Sequence, residues 1–320
     1  MMSNAMGAKH WVGFKPQAAA GSEEATVTTF LASDKVNLKA NPQLVKRLAS
    51  LTTGQELPGR VGMIMPSGSA SVEVHASQPH PWYWALGANA TTTPGGTTPR
   101  LHTITEADAP IRLTCEADMA YTDKKQGDVY IGKLVLNAKP GEQATLEIEW
   151  VALSHAEGAT LTSVPAFTTD LLLCNSVSLS ISGSENVTVD GCQITYDGKL
   201  EQKPTLVDTN GGEPQVIRRK EITEVTGKLD FIDFPTAELT KFIAGTSFAV
   251  IVELQGDVIE TTYKKFLRVT LPACQHTGGL DEEAADQVMT GSADFKAFYD
   301  TVTARKILVE AQNTITAINT

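Results

Sequence analysis

Nucleophilic and metal-centred chemistry needs cysteine, histidine or carboxylate side chains at spacings that bring them to one point. This chain of 320 residues offers few such sets. Cys115, Cys174, Cys192 and Cys274 are widely scattered, with no Cys-x-x-Cys pair, and such spacings support neither a zinc site nor a disulfide framework. Cys115 falls on the apolar side of an alternating pattern and reads as a small core hydrophobe. His10, His75, His80, His102, His155 and His276 are each isolated. His75 and His80 are the nearest pair, but Pro79 between them breaks any helix that would align them. No nucleophile elbow, Walker loop or dinucleotide-binding glycine motif occurs. Asp281-Glu282-Glu283 with Asp286 lacks the ligand spacing of a calcium loop and reads as a solvated helix start. Asn89-Ala-Thr and Asn186-Val-Thr are glycosylation sequons by letter only. The expectation is a protein with no catalytic, cofactor or metal site, not an enzyme.

The elements around these residues point to strands. Thr, Val and Ile make up 78 of the residues, and β-branched side chains fit a pleated surface better than a helix. The composition is 42% hydrophobic and 20% charged, which is a folding composition. Lys and Arg number 26 against 37 Asp and Glu, for a net charge of −11. That balance opposes a general nucleic-acid binder, which needs a positive footprint to displace counterions, and a basic membrane-surface protein. The longest apolar runs, Phe248–Val252 and Leu171–Cys174, are too short for a membrane span. The first residues carry no signal core, so a soluble chain made in the cytoplasm is expected. Ser3-Asn4-Ala5-Met6 resembles a tag remnant, whereas Met1-Met2 before it argues for a native start, and residues 1–6 are left out of the fold reasoning.

The two halves match each other. Ser71-Val72-Glu73-Val74 alternates, and Lys228-Leu229-Asp230-Phe231 does the same at an offset of 157 positions. Each strand leads through proline into a short helical pattern, Pro81–Gly87 in one half and Pro235–Gly245 in the other, with glycine at the end. Ile111, Leu113 and Cys115 then alternate with Arg112, Thr114 and Glu116. Phe248, Val250 and Val252 match the inward set at an offset of 137, and Glu253 matches Glu116. The smaller offset reflects a Thr/Pro/Gly-rich insertion, Asn89–Pro110, read as a loop. Asp128–Ala138 is matched to Lys265–Ala273, Ala144–Ala152 to Ala284–Ser292, and Lys35–Pro42 to Cys192–Lys199. Polar stretches, Lys46–Arg60 and Leu200–Arg219, precede the matched strands. The second, with Asn210-Gly211-Gly212, reads as a hairpin. Element order and spacing agree well enough to indicate duplication. The fold class expected is mainly β: two tandem β-sandwich or half-barrel domains, each with a short flanking helix. Residues 1–34 are an N-terminal arm, 35–165 the first domain and 166–320 the second, with the break near Ser163–Leu171 at Pro165.

The stretch Gly13-Phe14-Lys15-Pro16-Gln17-Ala18-Ala19-Ala20-Gly21-Ser22-Glu23-Glu24-Ala25 carries a family resemblance that continues through Val27–Leu31, Lys35–Leu44, Gly68–Ala76 and Trp82–Gly87. Here the chain resembles the major tail tube proteins of long, flexible-tailed bacteriophages. The resemblance covers the first half well and the second mainly through the repeat. It implies tube domains that assemble side by side into a ring whose inner strands form a continuous barrel. The rings stack into a hollow virion tube that conducts double-stranded DNA without specific binding. It also implies tape-measure, terminator and tip proteins as partners and no membrane. A duplicated chain would close a six-domain ring with three copies, six copies being the alternative. A tandem β-sandwich adhesin or carbohydrate-binding module is the competing reading, fitting the Thr-rich strands and the Trp residues.

Within that picture an acidic or neutral lumen lets DNA slide where a basic one would grip it. Glu73 with Asp230, Glu116 with Glu253, and Glu147 with Glu149 are the lumen-facing candidates. The polar arm Gly7–Ala25 is expected to order only against a neighbouring subunit. Lys15, Glu23, Arg47, Arg60, Arg218 and Arg219 are the candidates for contact between rings. Charge divides unevenly: 13 basic and 15 acidic residues lie up to position 165, against 13 and 22 beyond it.

Overall fold

A computed structural model describes residues 11–45, 60–95, 98–118, 122–163, 177–185, 189–203, 214, 216–232, 236–278, 283–285 and 287–318. The first half carries β1 (Trp11–Pro16), β2 (Thr29–Lys39), β3 (Pro42–Val45), β4 (Arg60–Ile64), β5 (Ser67–Glu73), α1 (His80–Leu86), β6 (Gly87–Thr92), β7 (Arg100–Glu106), β8 (Leu113–Ala117), β9 (Lys124–Ala138), β10 (Thr145–Val151) and β11 (Ser154–Glu157). The second carries β12 (Val177–Ile181), β13 (Ser184–Glu185), β14 (Val189–Asp197), β15 (Leu200–Lys203), β16 (Val216–Arg219), β17 (Glu224–Phe231), α2 (Thr236–Ala244), β18 (Phe248–Glu260), β19 (Tyr263–Gly278), β20 (Glu283–Ala285), β21 (Gln287–Ala297) and β22 (Leu308–Asn313). The described residues are thus mainly β, with two short helices among them.

Strand pairing repeats between the halves. In the first, β2 pairs β5, β5 pairs β10, β10 pairs β9, and β9 pairs β8, all antiparallel. In the second, β14 pairs β17, β17 pairs β21, β21 pairs β19, and β19 pairs β18. β1 lies beside β8 as β12 lies beside β18. β1 also pairs the start of β2, which closes the first half into a barrel and leaves that sheet without an open edge there. Thr145 stands opposite Glu73 and Ser292 opposite Asp230. β10 is therefore matched by Gly291–Ala297, not by Ala284–Ser292. The long β18–β19 hairpin pushes everything after it out of the spacing expected from sequence.

A single hydrophobic cluster runs through both halves. Alternation explains its membership, because successive strand residues point to opposite faces. Leu146, Ile148 and Trp150 of β10 are buried while Glu147 and Glu149 are exposed. Phe14 packs between Trp84 and Trp150, with ring centroids 5.1 and 5.4 Å apart. Trp82 and Leu86 of α1 are both buried, as their helical spacing predicts. Gly87 ends α1 in the left-handed region, at φ 98, and its N–H bonds Tyr83 O. Gly245 ends α2 at φ 60 in the same way, donating to Phe242 O at 3.0 Å.

Four further expectations are corrected. Residues 11–34 are no free arm: β1 is a barrel strand, with Val12 and Phe14 wholly buried. The alternation of large apolar residues at 11, 12 and 14 outweighs the polar Ala-rich run that follows. Asn89–Pro110 is no loop, because β6 and β7 form a hairpin and β7 pairs on its other side with β22 of the second half. Glu283–Ala285 begins no helix but forms β20 against β21. Lys265–Ala273 is displaced as the partner of Asp128–Ala138, since Val129 lies opposite Leu113 where Leu271 lies opposite Val250. Leu200–Arg219 does start and end as a hairpin, β15 against β16. Its turn, most of Lys46–Arg60 and nearly all of the domain break at Ser163–Leu171 lie outside the described residues.

Candidate functional site

The two halves share one sheet. β9 pairs β14 antiparallel from Ala138 opposite Cys192 to Lys133 opposite Asp197. The order β2–β5–β10–β9–β14–β17–β21–β19 is therefore an unbroken eight-stranded sheet. One face holds Ala70, Val72, Leu146, Ile148, Leu134, Leu136, Ile194, Leu229 and Phe295, all buried. The other face is polar along its length. One row across it reads Asn37, Ser69, Glu149, Lys133, Asp197 and Glu224.

Charges on this face are largely zipped together. Lys133 Nζ meets Glu149 Oε1 at 2.8 Å, and Lys228 meets Asp230 at 3.0 Å. Lys199 lies 2.7 Å from Asp197 and 2.9 Å from Glu224, and Lys296 lies 2.5 Å from Glu224. Hydrogen bonds from Lys296 and Lys199 hold the Glu224 carboxyl down at about 2. Asp230 raises Lys228 above its ordinary value, and Asp197 with Glu224 does the same to Lys199. Salt screens such exposed pairs, so their value is local neutralisation more than stability. A cavity of about 690 Å³ opens on this face where the halves meet, lined by Lys39, Ser67, Lys133, Trp150, Asp197 and Lys199 among others.

The six candidate acids do not share a surface. Glu73, Glu147, Glu149 and Asp230 lie on the polar face. Glu116 does not: it is wholly buried, 3.1 Å from Lys125 and accepting the Thr162 N–H at 3.0 Å. Glu253 lies on the opposite layer, in β18, where Arg268 joins it at 2.6 Å and Glu310 at 3.2 Å. Glu116 stands opposite Gly13 of β1 and Glu253 opposite Ser178 of β12, comparable places on strands that form the other wall of the sandwich. Sequence reasoning missed Lys133, Asp197, Glu224 and Lys296. Alternation in Val189–Asp197 was the signal that could have found Asp197.

The ring-contact candidates divide similarly. Lys15 is held by Glu24 at 2.8 Å, and Glu23 accepts from Ser154 Oγ at 2.6 Å, so both are used within the chain. They belong to a polar layer that ties residues 15–28 over β8 and β9. There Asp128 accepts from Gly21 N at 2.9 Å and meets Arg112 at 3.1 Å. Arg219 turns inward, donating to Ala107 O at 3.4 Å. Arg218 is exposed on β16. Arg60 starts β4, whereas Arg47 lies outside the described residues. Trp11, Trp82, Trp84 and Trp150 are all buried, so none of the four offers a face to a sugar.

Among the described residues no group of three or more His, Cys, Asp or Glu could hold a metal. Cys115 and Cys274 are buried and Cys192 half-buried, and burial pushes the thiols of Cys192 and Cys274 up to about 12. Such thiols are poor nucleophiles. No helix among the described residues is long and apolar enough to cross a membrane. No curated protein matches the chain. The family model for the phage tail tube protein matches residues 7–302, nearly the whole chain. With its mainly β architecture and paired polar sheet, the chain belongs to the phage tail tube protein family.

Proposed function

We propose that copies of this chain assemble side by side into rings, and that the rings stack into the hollow tail tube of a long, flexible-tailed phage. Double-stranded DNA passes through that tube during ejection. Family membership already places the protein in the virion tail as a structural component. One observation carries the finer reading: the eight-stranded sheet turns a continuous polar face away from the core. Among its described residues Lys133, Lys199, Lys228 and Lys296 are held by carboxylates, and only Lys35 and Lys39, on its β2 border, lie outside such pairs. A wall for DNA must not offer free positive charge, since each cation that neutralises a phosphate releases counterions and binds. Glu73, Glu147, Glu149 and Asp230 supply the acidic share of that wall.

Each chain contributes two units with the same strand pairing, which supports origin by duplication, with the division near residue 165. Three copies then supply the six units of a ring, and six copies are the alternative. The β3–β4 and β15–β16 hairpins leave from matching connections, β2 to β5 and β14 to β17. They carry Arg60 and Arg218 toward the next ring. The tape-measure protein and the terminator and tip proteins are the remaining partners on this reading.

Negative-stain microscopy of the purified protein, with mass measurement in solution, tests the proposal. Rings or tubes with an open channel are the expected result. A protein that stays monomeric under all conditions would overturn it.

A further inference from the structure

The β9–β14 junction shows, inside one chain, how the sheet of one unit continues into the next. Tyr196 stands opposite Leu134 and Thr195 opposite Val135. Among the described residues the sheet then ends in two unpaired edges. Lys35–Lys39 of β2 pair no strand but β5, with Leu38 O and Lys39 O accepting from the Lys124 and Gln126 side chains at 3.2 and 3.3 Å, and Gln275–Gly278 of β19 pair no strand but β21. These edges are the counterparts of the joined strands. β19 stands to β21 as β9 stands to β10, with Gln275 opposite Lys296 where Lys133 is opposite Glu149. β2 stands to β5 as β14 stands to β17, with Lys39 opposite Ser67 where Asp197 is opposite Glu224.

We infer that β19 of one protomer pairs antiparallel with β2 of a second copy, in the register that β14 takes on β9. Gln275 then stands opposite Lys39 of the second copy, His276 opposite Leu38, and Thr277 opposite Asn37. The inference rests on the ring reading and names the contact that closes the ring. An unpaired edge offers its N–H and C=O groups to any matching strand, and strand addition satisfies them.

A second observation marks the same border. α1 buries almost all of its residues, leaving only Tyr83 half-exposed. It does so against β9 and the β6–β7 hairpin, and the loop that leads into it is tied to the second half by Asn313, which donates to Ala76 O at 2.8 Å. α2 has no such cover: Phe242 is 39% and Ile243 77% exposed, with Ile232 beside the helix 50% exposed. α2 is fastened to the unpaired stretch of β19, with Gln275 Nε2 donating to Gly245 O at 3.0 Å and His276 meeting Glu238 at 2.9 Å. An apolar patch continuous with an unpaired edge is what a second copy would cover.

Cysteines report the register directly. Asn37→Cys with Thr277→Cys puts two thiols opposite each other on the polar face, within reach of a disulfide. Oxidising assembled protein is expected to link most chains into covalent oligomers. Lys35→Cys with Thr277→Cys, shifted by two residues, should give only the background of the single variants. Tubes that form without the first crosslink, or that crosslink with the shifted pair, overturn the register while leaving the ring reading intact. Failure of the unmodified protein to assemble would sink both. Ile243→Asp, an exposed change, should leave a folded protein with assembly reduced at least tenfold in rate; unchanged assembly removes α2 from the contact.

Discussion

Gly227 stands directly across the β17–β21 ladder from Phe295, and the phenyl ring fills the place where a Cβ would sit. Gly68 is related to Trp150 in the same way. An aromatic lying over a cross-strand glycine buries its full face and shields the bare backbone. Each half is keyed by one such pair. Gly227→Val should therefore cost about 1–3 kcal/mol through overpacking. Denaturant unfolding measures it, and the double variant Gly227→Val, Phe295→Leu should recover part of the loss.

Glu238 and His276 form the buried link between α2 and the sheet, with side chains 4% and 0% exposed. Burial would raise the Glu238 carboxyl, but bonds from His276 and Lys241 bring it below its ordinary value. Removing one partner of a buried pair leaves the other uncompensated, at about 3–5 kcal/mol. Glu238→Ala should release α2 before the rest of the fold, seen as faster amide exchange across residues 236–244. Exchange there at the native rate would show that the helix is held by other contacts.

His80 gives the fold an acid limit. Burial, reinforced by the nearby His102, pushes its imidazole down to about 4 from an ordinary 6.5. A folded-state value below the unfolded one means that the unfolded chain binds the proton first. Stability is thus complete above pH 6.5 and drains away as pH falls toward 4, by about 3 kcal/mol at most. The midpoint of urea unfolding should drop between pH 7 and pH 4.5, and His80→Phe should flatten that slope.

β1 is a structural strand, so truncation should be damaging. Deleting residues 1–16 removes the strand between β2 and β8, opens the first barrel and exposes Leu31, Leu113 and Cys115. The truncated chain should expose apolar surface to a hydrophobic dye and lose cooperative unfolding of the first half. Deleting residues 1–6 should change neither.

What the sequence disclosed follows from range. Alternation over Leu146, Ile148 and Trp150 depends on neighbours two residues apart, so the sorting of Glu147 and Glu149 onto the far face was legible. The same periodicity set Glu253 apart from the buried residues of β18, whereas every residue of β8, Glu116 included, is buried. It could not tell which layer of the sandwich those strands join, because that is decided by β1, β12 and the polar layer over β8. The β6–β7 hairpin was illegible for a related reason: its partner, β22, lies some two hundred residues away, and Thr-rich strands resemble loops until they are paired. The pairing of charge on the polar face was hidden in a net charge of −11, because Lys133 and Lys296 meet their carboxylates across strands.

That balance yields the most direct test of the wall. Glu147 and Glu149 lie on β10, and Glu149 neutralises Lys133. Glu147→Lys with Glu149→Lys reverses two charges and frees a third cation, without touching the buried face of the strand. Assembled tubes of the variant should retain short duplex DNA at low salt where the native tubes do not. Retention should weaken as salt rises, with a log–log slope of about −0.9 for each phosphate contacted. Fluorescence anisotropy of labelled duplex across a salt series reads both quantities. If variant and native tubes hold DNA equally, the polar face is not the surface that meets it, and the other layer, with Glu253, Arg268 and Glu310, becomes the candidate wall.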